Sequence, residues 1–249
     1  MIEAREISKS FGDKTVMHSV SATFETGKTN LIIGKSGSGK TVLLKSLVGL
    51  YDVDRGAILY DGRDVTRMGR HARQQLRQEI GMIFQGSALF DYMTVLENVR
   101  FPLDMFTTLS AGERRKRAQQ CLRRVNLEAQ ADNLYPAEIS GGMQKRVAIA
   151  RAIVQNPRYL FCDEPNSGLD PTTAGVIDSL ISEITHESGI TTIINTHDMN
   201  SVFTIGEHIA FISGGRKLWD GDKETILKSD CPDLQSFMES AVRLMSLGK

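Results

Sequence analysis

The chain has 249 residues, 41% hydrophobic and 24% charged, enough apolar material for one large domain or a core carrying a smaller subdomain. Its 30 Lys and Arg balance 30 Asp and Glu, so no net charge draws it to nucleic acid or an anionic membrane surface. Cys121, Cys162 and Cys231 are odd in number and far apart, which fits reduced thiols in a cytoplasmic compartment rather than a disulfide scaffold or a zinc site.

The opening MIEAREISKSFG carries acids and no apolar h-region, so it is not read as a secretory signal. The first part of the chain reads as short strands. TNLIIG is an apolar run ending in glycine, and TVLLKSLVGL after it has apolar residues at 43, 44, 47, 48 and 50, a helical spacing. GAILYDGRDV predicts a hairpin turning at Asp61-Gly62. From Asp91 to Ala152 the pattern is helical, with GERRKRAQQCLRRVN its most charged piece. Strand character returns at RYLFCDE, TTIINTH and HIAFIS, with the helical TAGVIDSLISEITHES between the first two. Strands separated by helices predict an α/β core with a mostly parallel sheet. The middle block is expected as an inserted helical subdomain (91–152), with the core at 1–90 and 153–225 and a short helical tail at 226–249. No apolar run approaches the ~20 residues that span a bilayer, so any membrane-spanning part would come from another chain.

The loop between the first core strand and its helix, Gly34–Thr41, reads GKSGSGKT and fits G-x-x-x-x-G-K-[ST]. Such glycines let consecutive backbone N–H groups point at phosphate oxygens, and the helix that follows adds its positive end. Gly34, Lys35, Ser36, Gly37, Ser38, Gly39, Lys40, Thr41 and Val42 are therefore the predicted nucleotide-phosphate cradle. Lys40 would reach the β- and γ-phosphates, and the Thr41 hydroxyl would ligate Mg²⁺. A dinucleotide loop fits less well, because the third glycine position counted from Gly37 is Val42.

YLFCDE is a hydrophobic strand ending in two acids, Asp163 and Glu164, where a buried strand seldom carries adjacent carboxylates without a cation or a reaction. Asp163 is assigned to hold Mg²⁺ through its water shell. Glu164 is assigned as general base toward the attacking water, a role worth ~10²–10⁴ in rate. Read alone, the pair could equally cap a helix or loop. His197 and Gln85 each end a strand, in TIINTHD and IGMIFQ, at the edge of a parallel sheet where ligands gather. His197 is read as touching the γ-phosphate, and Gln85 as sensing Mg²⁺ and the attacking water, although an isolated histidine is more often structural.

Ile139–Val154, ISGGMQKRVAIARAIV, presents a second anion-binding opening. Ser140 is a natural helix cap, and Gly141 and Gly142 permit close approach by an anion. One helix terminus supplies only up to ~2 kcal/mol, too little for an independent site. It makes sense as half of a site completed by the phosphate loop of a second copy, with two head-to-tail chains enclosing two ATP molecules.

These residues resemble the nucleotide-binding domain of ABC transporters over essentially the entire chain. The resemblance rests on a Walker A loop (GKSGSGKT), a Q-loop at Gln85, the signature ISGGMQ, a Walker B strand (YLFCDE), a D-loop SGLD at 167–170 and a switch histidine, His197, in the family's order. It implies a P-loop NTPase with a RecA-like, mostly parallel sheet core, an N-terminal antiparallel β subdomain and an inserted α-helical subdomain. It also implies that Phe11 stacks on adenine, that Asp170 speaks to the opposite site across a homodimer, and that QGSALFDYMTVLENVRFPL docks the coupling helix of an integral membrane permease. The signature departs from the usual Leu-Ser-Gly-Gly-Gln at Ile139 and Met143, but Ser140 and the backbone donors remain.

SGGM, DEPNSGLDP and the tail PDLQSFMES resemble the ATPases of Mla-type, Mce-linked lipid transporters of double-membrane bacteria. That subgroup implies lipid cargo, an Mce-domain protein and a small regulatory protein as partners, a tail used in partner or dimer contacts, and a peripheral place on the cytoplasmic face of the inner membrane. Amino-acid or lipoprotein transport and a cell-division role remain open alternatives. A soluble nucleic-acid or ribosome clamp, suggested by ERRKRAQQCLRR, is disfavoured by the neutral overall charge.

Overall fold

A computed structural model describes the backbone of residues 1–247 and side chains through residue 239. Residues 248–249 of the expected tail lie outside the described residues.

In chain order the strands are β1 (Ile2–Phe11), β2 (Lys14–Phe24), β3 (Thr29–Ile33), β4 (Arg55–Tyr60), β5 (Arg63–Asp64), β6 (Ile80–Ile83), β7 (Tyr159–Asp163), β8 (Thr191–Thr196), β9 (His208–Ser213) and β10 (Arg216–Gly221). The helices are α1 (Lys40–Val48), α2 (Arg70–Gln78), α3 (Val95–Phe106), α4 (Ala111–Arg124), α5 (Gly141–Ile153), α6 (Pro171–Ser188), α7 (Met199–Ile205) and α8 (Pro232–Leu247). An antiparallel sheet has the order β2-β1-β4-β5, and a second sheet the order β10-β9-β3-β8-β7-β6. Within the second sheet β9, β3, β8, β7 and β6 run parallel, and only β10 pairs antiparallel. The chain is thus an α/β P-loop fold with an N-terminal antiparallel sheet, as the sequence led one to expect.

The core explains why the central strands read as unbroken apolar runs. Successive side chains of a strand leave on opposite faces, and both faces of this sheet are covered. Leu31 and Ile33 of β3, Leu160 and Cys162 of β7 and Ile194 of β8 join one apolar cluster with α3, α5, α6 and α7. Ile32, Tyr159, Phe161 and Ile193, one residue out of phase, join the other with α1 and the antiparallel sheet. Each fully buried Leu or Ile contributes about 1.5–3 kcal/mol relative to exposure, so a one-residue slip in register would be costly.

Three elements differ from the sequence reading. The opening strands are long, ten and eleven residues, rather than short. Register shifts between Ala4 and Ser10, with positive φ at Glu6 and Ser19, break their alternation and hide their length. Helix α2 is absent from the sequence reading; its nine residues are mostly polar and only Leu76 is buried. Edge strand β10 was likewise unread, its six residues being either exposed or half-buried. The hairpin at Asp61-Gly62 is present, with both turn residues at positive φ (46° and 78°) between paired Tyr60 and Arg63.

At the C-terminus, Leu234 and Phe237 of α8 are buried in the main cluster, and Phe237 lies 5.6 Å from the Phe211 ring. The start of the tail therefore packs on the chain's own core.

Candidate nucleotide site

Parallel strands all end on one edge of a sheet, and the strand order decides what meets there. β3 ends at the phosphate loop, β8 at His197, β7 at Asp163-Glu164 and β6 just before Gln85. Since β3, β8, β7 and β6 are consecutive neighbours, at about 4.8 Å per strand these groups form one row.

The phosphate loop is shaped by its glycines. Gly34 has φ 150°, and a Cβ there would lie 2.1 Å from the Ile212 carbonyl oxygen and 2.8 Å from Ser38 Oγ. Gly34→Ala is therefore expected to lower stability by about 2 kcal/mol or more, read as a fall in the thermal unfolding midpoint; an unchanged midpoint would contradict this packing. Lys35, Ser36 and Gly37 form the exposed crown of the loop, while Ser38, Gly39 and Lys40 are buried. Gly39 starts α1 at φ 106° with no side-chain cap, leaving the first-turn N–H groups for a ligand. Ser38 Oγ is buried and has no hydrogen-bond partner among the described residues, a second group suited to a phosphate oxygen.

Lys40 folds back across the loop, its Nζ donating to the carbonyls of Gly34 (2.8 Å) and Lys35 (3.0 Å). Burial pulls its pKa down, and the charges of Glu164 and Asp163 oppose that shift. Val42 is half-buried and packs against the apolar cluster behind α1, so only its backbone is suited to face a nucleotide.

At the floor of the site Asn195 Nδ2 donates both to Thr41 Oγ1 (3.1 Å) and to Asp163 Oδ1 (2.7 Å). Asn195 Oδ1 is buried without a partner among the described residues. A hydroxyl, a carboxylate and an orphaned amide oxygen around one point are hard donors of the kind Mg²⁺ takes, directly or through its waters. Among the described residues no group of three or more His, Cys, Asp or Glu could hold a metal unaided. That fits an ion that shares its coordination with substrate phosphates.

Glu164 has φ 47°, an uncommon conformation for a residue with a side chain, and its N–H donates to the Asn195 carbonyl at 2.9 Å. Its Oε2 accepts from Gln85 Nε2 at 3.0 Å. Its Oε1 lies 3.1 Å from His197 Nδ1, which must be the donor because an ionised carboxylate can only accept. Three residues widely separated in sequence thus meet at one carboxylate.

The loop after Gln85 is held from α5, a feature the sequence reading missed. Lys145 Nζ donates to the Gln85 carbonyl, and Ser167 Oγ approaches the same oxygen at 3.5 Å. Arg151 donates to the carbonyls of Ser87 and Ala88, both at 2.7 Å. Burial lowers the pKa of Lys145, against the raising effect of the Glu164 charge. Asn195 was missed as well. The available signal was polarity within buried elements: Asn195 in TTIINT, Lys145 beside Val147 and Ala148.

Other predicted residues stand apart from the row. Phe11 is exposed and meets Tyr51 edge-on at 5.2 Å. Ser140 caps α5, its Oγ accepting from Met143 N at 3.3 Å. Ser140 and Gly142 border a shallow cavity of about 440 Å³ with Arg146 and Thr173, and no phosphate-loop residue lines it. The signature departures are absorbed by packing, Ile139 being buried in the core and Met143 lying against it. Asp170 caps α6, accepting from the N–H groups of Thr172 (3.1 Å) and Thr173 (3.0 Å).

The comparisons agree with this architecture. A family model described as ABC transporter matches residues 17–167. The chain is 35% identical over 237 residues to the probable ribonucleotide transport ATP-binding protein mkl of Mycobacterium leprae, spanning 95% of this chain and 68% of that one. It is 34% identical over 239 residues to the intermembrane phospholipid transport system ATP-binding protein MlaF of Escherichia coli, spanning 96% and 88%. The dimeric structure of a bacterial ABC transporter cassette matches with a TM-score of 0.82 at 32% identity, covering 90% of this chain and 99% of that one. The same cassette has a dimeric post-hydrolysis structure with ADP and Pi, again at 0.82. Phosphate loop, convergent strand ends, matched family model and close relatives together make this chain a member of the ABC transporter ATP-binding family, an ABC-type ATPase.

Proposed function

We propose that this ATPase powers movement of a phospholipid through a separate membrane permease, by closing as a homodimer on ATP and reopening after hydrolysis. The observation that carries the hydrolytic part is Glu164, held between Gln85 and His197 on the sheet edge that also bears the phosphate loop. Residues 34–42 bind the phosphates through backbone N–H groups and Lys40, and Phe11 offers its exposed ring to the adenine. Thr41, Asp163 and Gln85 would hold Mg²⁺, which when bound screens the phosphate charge. Glu164 takes the proton of the attacking water, and His197 fixes the carboxylate and meets the γ-phosphate.

The second copy lends Ser140, Gly141 and Gly142, whose helix start has no phosphate loop beside it within its own chain. Asp170 and its loop face the same partner. Residues 91–152 act as a helical arm against a core of 1–90 and 153–225.

The permease is expected on the loop before α3. Tyr92 there is 73% exposed, while buried Asn98 pins the loop by accepting from Phe90 N and donating to the Phe90, Met93 and Thr94 carbonyls. A rigid loop presenting an exposed aromatic suits docking of a helix. Among the described residues no helix is long and apolar enough to cross a membrane, which supports a separate spanning subunit. An Mce-domain protein, a small regulatory protein and a cytoplasmic-face location complete the reading.

Lipid cargo rests on the SGGM and DEPNSGLDP stretches and on the name of the MlaF relative. The name of the mkl relative supports a second reading, a ribonucleotide cargo. Purification with native membrane partners, then mass spectrometry of extracted small molecules, separates them. Phospholipid enriched over the surrounding membrane supports the first reading. A nucleotide other than ATP or ADP, without lipid enrichment, overturns it.

A further inference from the structure

Beneath the Glu164–His197 contact lies a second, buried link between the same two segments. Asn166 stands two residues after Glu164, and Ser201 four residues after His197. Asn166 Nδ2 donates to Ser201 Oγ at 3.2 Å and to Asp178 Oδ1 of α6 at 2.7 Å. Asn166 is thus the side chain that joins Ser201 to the Asp178 carboxylate. Ser201 is fully buried and Asp178 is 3% exposed. Among the described residues no ion pair reaches that carboxylate; its donor is the Asn166 amide, with Asp198 a like charge nearby and the Cys162 thiol on the adjoining strand. Asn166 Oδ1 is buried without a partner among the described residues.

A buried, uncompensated carboxylate with an orphaned amide oxygen beside it is a poor way to stabilise a fold, because apolar side chains of similar size serve better. Its arrangement makes sense as registration. The loop from Glu164 to Asp170 and the segment from His197 to Ser201 touch twice, once at the sheet edge (3.1 Å) and once below it (3.2 Å). Two links a few residues apart remove the hinge that one alone would leave. We propose that Asn166, Asp178 and Ser201 are positioning residues that lock the segment carrying His197 to the loop carrying Glu164, so that the pair is presented to substrate as one rigid unit.

This inference rests on the reading of Glu164 and His197 as acting together in hydrolysis. The test is a double-mutant cycle on ATP turnover by the full chain with its membrane partners, combining Ser201→Ala or Asn166→Ala with His197→Ala. Each triad change alone is expected to lower kcat by about tenfold with KM for ATP changed less than about twofold. In the His197→Ala background the same changes should cost less than about twofold further, because the unit they align is already broken. Asp178→Asn keeps an acceptor for Asn166 and can donate to its orphaned oxygen, so it should retain kcat within about threefold, whereas Asp178→Ala should fall with the others.

Costs that multiply fully in the double mutants, or a fall in kcat matched only by lost thermal stability, would overturn the triad's role. Glu164→Gln run alongside separates the two readings. Loss of turnover there with full multiplicativity in the cycle rejects the triad alone, and normal turnover there rejects the underlying assignment.

Discussion

Glu164→Gln is expected to lower steady-state ATP turnover by about 10²–10⁴-fold, equivalent to about 3–5 kcal/mol of barrier, while ATP still binds. The substitution keeps the length and shape of the side chain. It removes the ability to take a proton, and it replaces two accepting oxygens with one. Gln85 Nε2 and His197 Nδ1 both donate to Glu164 in the parent, so an amide can satisfy only one of them. The phosphate loop makes no hydrogen bond to this side chain, and Lys40 is held by the carbonyls of Gly34 and Lys35 instead. Nucleotide affinity should therefore stay within a few-fold of the parent, and ATP-bound dimers should accumulate because the step that reopens them is lost. Single-turnover hydrolysis, nucleotide binding and size-exclusion chromatography with ATP read these three outcomes separately. Parent-like turnover would remove Glu164 from the role of base.

Ser140→Arg is expected to abolish turnover in the assembled transporter, by about 10²-fold or more, without weakening ATP binding to the isolated subunit. Ser140 is exposed at the start of α5, and no phosphate-loop residue of its own chain borders the adjoining cavity. A long cation there would sit where the proposed facing nucleotide must approach the start of α5. Losing the serine cap costs only about 1 kcal/mol, too little to unfold the chain. Ser140→Gly separates the two effects, since it weakens the cap by a few tenths of a kcal/mol and leaves the approach open. It should keep most of the activity that the arginine variant loses. Normal turnover by Ser140→Arg with its permease would mean that the signature end of one chain does not meet the nucleotide of another.

The amino-acid sequence by itself determined the chemistry available and the kind of fold. GKSGSGKT reads as a phosphate cradle because its glycines permit a tightly curled backbone, and at Gly34 a carbonyl stands where a Cβ would go. YLFCDE and TTIINTH were legible as central strands because both sheet faces are covered, which makes their inner positions mostly apolar. Local patterns failed where a contact lay across the fold. Bulges concealed the length of β1 and β2, and α2, with one buried residue, offers little apolar pattern to read.

Only the tertiary structure decided which groups meet. The order β3-β8-β7-β6 differs from chain order, and it alone brings Gln85, Glu164 and His197 within hydrogen-bonding distance. It also exposed what no motif marks: Asn195 joining Thr41 to Asp163, Lys145 and Arg151 gripping the loop after Gln85, and the buried link from Asn166 through Asp178 to Ser201. Side-chain type and local spacing are properties of a few neighbouring residues and can be read along a chain. Hydrogen-bond partners dozens of residues apart are set by strand order and helix packing, which no local window contains.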